Sequence, residues 1–543
     1  MYLLNVKTYR LESTDVIGPT AYAILSHRWD SANEVLYQDM TGAEDEIEKK
    51  MRKKSGFAKV EGACKQAEKD GFGHIWIDTC CIDKSSSAEL SEAINSMYKY
   101  YQDAQICYAY LASLPNDTDP RTDSAFADHE WFERGWTLQE LIAPREVIFY
   151  TDASESGENN HHRQSDWIEL GHKSMLCQRL SQITGIDEGI LSHSDEIQSI
   201  SIAKRMSWAA RRKTTRIEDR AYSLLGLFDV NMPMIYGEGP KAFIRLQEEI
   251  MKHSSDESLF AWRDDNADPH TSAGLLANSP GMFRDSGEFF DYNEWEPRTP
   301  FFSTNRGVQI TLHLRLVGVN EYVAALNCPQ PSRTDGFVGI RLMKLTAFEG
   351  ANHAGPHDQY VRVGTCRLLA LGSVVDRGTP TTIYIRKTAK LSSSHTVHPE
   401  QVLQLRDGPG PEQGYRLHTT MGTKAKTALR VGNQSWIDAN LTSAFEVTKK
   451  KNCLAAVVVF KRSDNTAFTI LLGSGSHPGD VEVHILDEYD QDRNFGEWAL
   501  MYKPQPCGFM ELKHGHISVN VKWKVVYDTK YFLVDINLRV SRR

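Results

Sequence analysis

The chain has 543 residues, too many for one hydrophobic core, so two to four domains are expected. An apolar share of 41% and a charged share of 24% are those of an ordinary globular protein, which excludes a disordered or fibrous polymer. A formal charge of -9 and a pI near 6.1 exclude a general attraction to nucleic acid or to anionic membrane, and no nucleic-acid partner is expected.

The first ten residues have too short an apolar run for a signal peptide, with the basic residues on the wrong side of it. No apolar stretch approaches the ~20 residues that span a bilayer, and the longest, residues 454–460, suits a buried strand. Nine cysteines, an odd number scattered along the chain, do not make a disulfide framework. A reduced, cytoplasmic protein is the simplest expectation. Without an export signal the glycosylation triplets at Asn116, Asn433 and Asn440 carry no weight.

From residue 20 to about 150, short apolar strands alternate with helical segments. Residues 22–26, 75–78, 106–110 and 147–150 read as strands buried on both faces. Phe57, Val60, Cys64 and Ala67 mark one amphipathic helix between them, and Leu90, Ile94, Met97 and Tyr101 mark another. Such alternation predicts a parallel sheet with helices on both sides, whose ligands bind beyond the carboxyl ends of the strands. Those ends gather Ser26, His27, Arg28, Trp29 and Asp30 on one strand, and Asp78, Cys80, Cys81 and Asp83 on the next. An arginine there can fork onto phosphate and an aspartate can accept from ribose hydroxyls, although Asp78 or Asp83 would equally cap a turn.

The stretch Trp131-Phe-Glu-Arg-Gly-Trp136-Thr-Leu-Gln-Glu140 sets Trp136 and Glu140 one helical turn apart, so that an indole and a carboxylate share a face. That pair suits a ribose and its base. The competing structural account is a capping box, with Thr137 as N-cap and Glu140 returning to its backbone.

Residues 160–255 are helical in texture. Ile202, Met206 and Ala209 share one face, Ala221, Leu224, Leu225 and Phe228 a second, and Phe243, Leu246, Glu249 and Ile250 a third; these stripes read as core. The basic run within residues 204–216 reads as a solvated helix end, because acids follow at Glu218 and Asp219. Beyond residue 265, short β-branched segments separated by Gly, Pro, Asn and Asp predict an all-β sandwich or a pair of them.

Walker, Rossmann and His-Glu-x-x-His patterns are absent. Cys80-Cys81 lacks a second pair at zinc spacing, so no metal is expected, and His161-His162 reads as solvated loop. A Cys-His nucleophilic pair formed by Cys80 or Cys81 with His27 is conceivable, but it has neither an orienting third residue nor oxyanion donors.

Four blocks follow one another in the first part of the chain: Tyr22-Ala-Ile-Leu-Ser-His-Arg-Trp29, Ile75-Trp-Ile-Asp-Thr-Cys-Cys-Ile-Asp-Lys84, Ala88-Glu-Leu-Ser-Glu-Ala-Ile-Asn-Ser-Met-Tyr98 and Arg134-Gly-Trp-Thr-Leu-Gln-Glu-Leu-Ile-Ala-Pro144. In these blocks and their order the chain resembles the fungal heterokaryon-incompatibility (HET) domain family. HET domains are in turn similar to TIR domains, which are flavodoxin-like α/β folds. In plant TIR proteins, a strand end of Leu-Ser-Phe-Arg type opens the domain, and a Trp-x-x-x-Glu helix holds the glutamate essential for cleaving NAD; Ser26, Arg28, Trp136 and Glu140 fall on that pattern.

The resemblance therefore implies a TIR-like domain over residues 1–155, a helical extension over 156–264 and a β-rich region over 265–543. It implies Glu140 as catalytic residue, with Ser26, His27, Arg28, Trp29, Asp78, Cys80 and Trp136 binding the substrate. NAD or a related nucleotide would be substrate rather than cofactor. Self-association and a sensed trigger protein would be the partners, in fungal cell death. His27 and Trp29 depart from the plant form and leave base stacking and dinucleotide choice open. A non-enzymatic module signalling by homotypic assembly is the alternative.

Overall fold

The computed structural model describes residues 1–29, 33–41, 50–152, 167–267, 272–290, 299–318, 321–329, 336–345, 359–366, 368–371, 378–388, 400–407, 415–422, 426–427, 443–446, 453–474, 481–503, 508–512, 515–526 and 529–540. Asp30, His161, His162, Asn433 and Asn440 lie outside them. The chain divides into two compact units, one made of residues 1–262 with 276–294 and 327–332, the other of the remainder.

The first unit holds a mixed sheet of seven described strands. Its elements in chain order are β1 (Tyr2–Asn5), β2 (Leu11–Ser13), β3 (Ala23–His27), α1 (Phe57–Lys69), β4 (His74–Trp76), α2 (Ser87–Asp103), β5 (Ile106–Tyr110), α3 (Thr137–Ile142), β6 (Val147–Asp152) and β7 (Trp167–His172). The strands lie in the order β2-β1-β4-β3-β5-β6-β7. β4, β3, β5 and β6 are mutually parallel, as their helical crossovers require. The sheet is not parallel throughout, because β1 and β7 add antiparallel edges that the alternating pattern did not reveal. All five residues of β3 are buried, as expected for a strand covered on both faces.

Order along the sheet reverses at β3: the chain steps from β3 to β4 on one side, then crosses back to β5 on the other. A crevice beyond the carboxyl ends of β3 and β5 follows from that reversal. α1 buries the predicted Phe57, Val60, Cys64 and Ala67, and α2 buries Ile94, Met97 and Tyr101 of its predicted stripe, while Leu90, in its first turn, is only partly buried. The helical segment, including α4 (Ile202–Ala209) and α5 (Lys241–His253), belongs to this same unit. Gln247 on α5 is buried and bonds both backbone groups of Ala277, which ties residues 276–294 to it. Among the described residues no helix is long and apolar enough to cross a membrane.

The second unit is β-rich. Five strands close on themselves: Gly307–Gly318 pairs with Glu321–Pro329 and Thr379–Ile385, Thr379–Ile385 runs parallel to Gln359–Val363, and Phe337–Lys344 joins Gln359–Val363 to Glu321–Pro329. Closure removes sheet edges, so this part is a ring of strands rather than the expected sandwich. The last part is a sandwich. Phe460, Phe468, Ile470 and Leu472 of a four-stranded sheet share a core with Ile517, Val519, Val534 and Ile536 of a six-stranded one. The opposite face of the four-stranded sheet is covered by Trp498 and Tyr502 of a helix spanning Phe495–Met501 and its end. Burial on both faces explains why residues 454–460 run apolar without alternation.

Candidate active site at the carboxyl edge of the parallel strands

Ser26 and His27 end β3 and, as strand neighbours, leave it in opposite directions. Ser26 Oγ donates to Glu140 Oε2 at 2.5 Å and accepts from the indole Nε1 of Trp131 at 2.9 Å. Trp131 is fully buried, so the serine hydroxyl is fixed from both sides. His27 contacts Asp78 through Nε2 at 3.0 Å, and Trp29 Nε1 donates to the other oxygen of Asp78 at 2.8 Å.

The helix that carries Glu140 is six residues long, too short to stand alone, and is held by its surroundings. Gly135 donates its backbone N–H to Lys213 O at 2.8 Å, and a Cβ at Gly135 would lie 2.5 Å from the Thr214 methyl. Arg212 Nη1 donates to Arg134 O at 2.9 Å and to Thr137 Oγ1 at 3.0 Å, fastening the amino end. Lys173 fastens the other end through Pro144 O and Leu141 O. Thr137 donates its hydroxyl to backbone carbonyls of Trp131 and Arg134, while the Glu140 carboxyl turns to Ser26. The capping-box account of Thr137 and Glu140 therefore fails: Thr137 lies inside the helix, and Trp136 stands at its N-cap without a side-chain bond that caps it.

Glu140 is 6% exposed. Burial, then the negative charge of Asp78, push its pKa from an ordinary 4.5 up to about 8, against the opposing pull of Ser26, Arg134 and Arg212. Burial also raises Asp78, yet the bonds from His27 and Trp29 and the charge of Lys84 outweigh it, leaving Asp78 below the ordinary range. Burial, then Lys59, lower His27, which is neutral and donates Nε2–H to Asp78. His27 Nδ1 is buried with no hydrogen-bond partner among the described residues. Two neighbouring carboxyl groups are thus driven apart, one toward the acid and one toward the anion.

Lys84 Nζ lies 3.6 Å from the centre of the Trp29 ring and has no hydrogen-bond partner among the described residues. Arg28 points to solvent and pairs with Glu130. The cation that faces the Asp78 cluster is therefore Lys84, whereas Arg28 is turned away from it. Cys80 is fully buried with its Sγ toward Ile77 O, and a bond from Cys81 and burial raise its pKa well above the ordinary value. A buried, protonated thiol is neither a nucleophile nor a surface for substrate. Trp136 is half-buried and donates to Asp219 Oδ2 at 3.4 Å, in a cluster with Tyr236. The structure thus brings Ser26, Glu140, His27, Asp78 and Trp29 together and directs Arg28, Cys80 and Trp136 elsewhere.

Sequence reasoning missed Trp131, Lys84 and Arg212. Trp131 was legible, since it opens the same stretch as Glu140. Arg212 was not, because its reach across 75 positions to Thr137 leaves no local periodicity.

Residues 22–125 match the model of the Heterokaryon incompatibility protein (HET) family. Residues 241–342 match a domain of unknown function, DUF8212. The chain is 40% identical over 272 residues to the Vegetative incompatibility protein HET-E-1 of Podospora anserina, a stretch covering 49% of this chain and 18% of that relative. It therefore spans less than a fifth of the relative's length. Among solved structures, the wild-type Xerocomus chrysenteron lectin XCL and a mutated form align with 26% of this chain and 99% of their own, at 8% and 9% identity and TM-scores of 0.18 and 0.19. A likeness that slight assigns no fold.

Proposed function

We propose that this chain acts in fungal non-self recognition leading to programmed cell death, and that its first unit cleaves the nicotinamide-ribose bond of NAD at Glu140. The family match over residues 22–125 and the identity to an incompatibility protein support the biological half of this reading. The parallel run β4-β3-β5-β6 supports the chemical half, since it is the strand order of flavodoxin-like, and hence TIR-like, sheets. The observation that carries it is Glu140: a buried carboxyl with a pKa near 8, held by Ser26 at the strand-order reversal.

NAD carries a pyridinium cation at the bond to be broken. Brought beside Glu140, that cation favours the carboxylate, which stabilises positive charge developing at the anomeric carbon. The carbon–nitrogen bond breaks with its electron pair leaving on the nicotinamide nitrogen, water adds to the ribose carbon, and one proton is released. A cationic leaving group removes the need for the second carboxyl group that ordinary glycosides require. Ser26 orients Glu140, and Asp78 with Trp29 and Lys84 forms the polar and aromatic flank. The activity requires self-assembly or release by a trigger protein, because a free enzyme of this kind kills the cell that makes it.

The near-complete burial of Glu140 and Ser26 favours a second reading, a non-enzymatic module that signals by assembly, with Glu140 structural. Incubating the concentrated protein with NAD and measuring nicotinamide by chromatography separates the two. Release at least about a hundredfold faster than by folded Glu140→Gln is the expected result, a loss typical of removing a group that stabilises transition-state charge. Equal rates, or no release from assembled protein, would establish the second reading.

A further inference from the structure

Beside the amino end of the helix that carries Glu140, the first unit contains a hollow of about 490 Å³ whose lining includes Arg211, Arg212, Lys213, Arg220 and Arg284 and contains no aspartate or glutamate. Arg212 is bonded only to backbone carbonyls and the Thr137 hydroxyl, and Lys213 is shared with Glu133 at the surface. Arg211, Arg220 and Arg284 are exposed and have no carboxylate partner among the described residues. In a chain of formal charge -9, a hollow lined by five cations, three of them with no carboxylate partner among the described residues, and by no acid forms a local reversal of sign. Like charges held together weaken the empty protein, and a bound anion relieves that repulsion.

We infer that this hollow binds a compact oligophosphate. Guanidinium groups arrayed around a cavity fit phosphate oxygens through forked hydrogen bonds. No aromatic side chain lines the hollow, and its apolar lining is limited to Ala209, Ala210 and Pro280, so nothing there stacks on a base. The ligand is recognised by its phosphates, either as a soluble oligophosphate or as the headgroup of a phosphoinositide. The basic run that reads in the sequence as a solvated helix end is thereby one wall of a site, completed by Arg220 and by Arg284 from a segment about 70 positions away.

Titration calorimetry of the full chain with sodium tripolyphosphate tests the site, and sedimentation with vesicles carrying phosphatidylinositol 4,5-bisphosphate distinguishes the membrane source. Saturable binding in either arm is expected, weakened about tenfold or more in Arg220→Ala/Arg284→Ala and partly restored in Arg220→Lys/Arg284→Lys. Lys241→Ala, an exposed charge outside the lining, should leave it unchanged. The exposed positions of both arginines keep the variants folded, which circular dichroism verifies. Absence of binding in both arms, or affinity in the double alanine variant within about twofold of the parent, would overturn the inference, as would an equal loss in Lys241→Ala.

Discussion

A central strand in the sheet of the first unit and a central strand in the sandwich of the second are both buried, and they put different side chains into the core. In the first, β3 runs apolar until Ser26 and His27, and those two buried polar residues meet Glu140 and Asp78. In the second, strand Leu454–Arg462 is fully buried from Leu454 to Phe460, and its core neighbours Phe468, Ile470 and Leu472 are apolar throughout. A parallel sheet with helical crossovers opens a crevice where side chains from several elements converge, whereas two sheets packed face to face fill the space between them with apolar side chains. The first region therefore sacrifices stability to hold Glu140 and Asp78 out of water, whereas the described residues of the shared sandwich core are hydrophobic.

The largest effect that separates the two is in the sandwich. Phe468→Ala should cost about 3–5 kcal/mol, because it empties a space in the core that the two sheets share. Urea unfolding followed by fluorescence measures it. A cost below about 1 kcal/mol would mean that the shared core is not what holds these sheets together.

A smaller effect, on the order of a few kcal/mol, should come from Glu140 and carry a distinctive sign. Its folded pKa is raised from 4.5 to about 8, so the folded state disfavours the charged form. Below pH 4.5 both folded and unfolded carboxyls are neutral and nothing is lost. As pH rises from there to about 8 the unfolded state ionises first and stability falls, then levels off. Lys173, lowered by burial from 10.5 to about 8, acts with the opposite slope and only above that pH. Thermal melts across pH 4.5 to 8 should show the Glu140 decline in the parent and its absence in Glu140→Gln. An identical decline in both would move the titration to another group.

The smallest effects sharpen the map of the polar edge. Lys84→Ala should weaken NAD binding more than Arg28→Ala, the reverse of what the sequence implied, because Lys84 faces Trp29 and Asp78 while Arg28 is paired at the surface. Loss of the Arg28–Glu130 pair should change stability by about 1 kcal/mol at most. Binding measured by fluorescence of Trp29 decides the order, and a greater loss in Arg28→Ala would return the phosphate contact to that side chain.

Periodicity and local chemistry made much of this legible. β5 spans the predicted residues, the stripe of α1 and all of that of α2 but Leu90 are buried, and the meeting of the β3 end with Asp78 and Glu140 follows from strand order. What was not legible depends on distance in sequence or on brevity. β1 and β2 are four and three residues long, too short for a pattern. The closed ring of strands rests on pairing between Phe337–Lys344 and Gln359–Val363, and alternating residues read alike in a ring and in a sandwich. Side-chain direction decided the rest: Trp136 sits one turn from Glu140, yet bonds Asp219 from the helical segment.

The clamps on the six-residue helix also bear on when the polar edge is assembled. Every strand through β6 has been made once residue 152 leaves the ribosome, but Lys173 and Arg212, which fasten the two ends of that helix, come later. Synthesis proceeds at roughly 5–20 residues each second, so for several seconds the nascent chain carries Glu140 without the means to hold it in place. Order of translation thus sets the order of assembly: the carboxyl group is fixed only when the chain has grown well past the sheet that presents it.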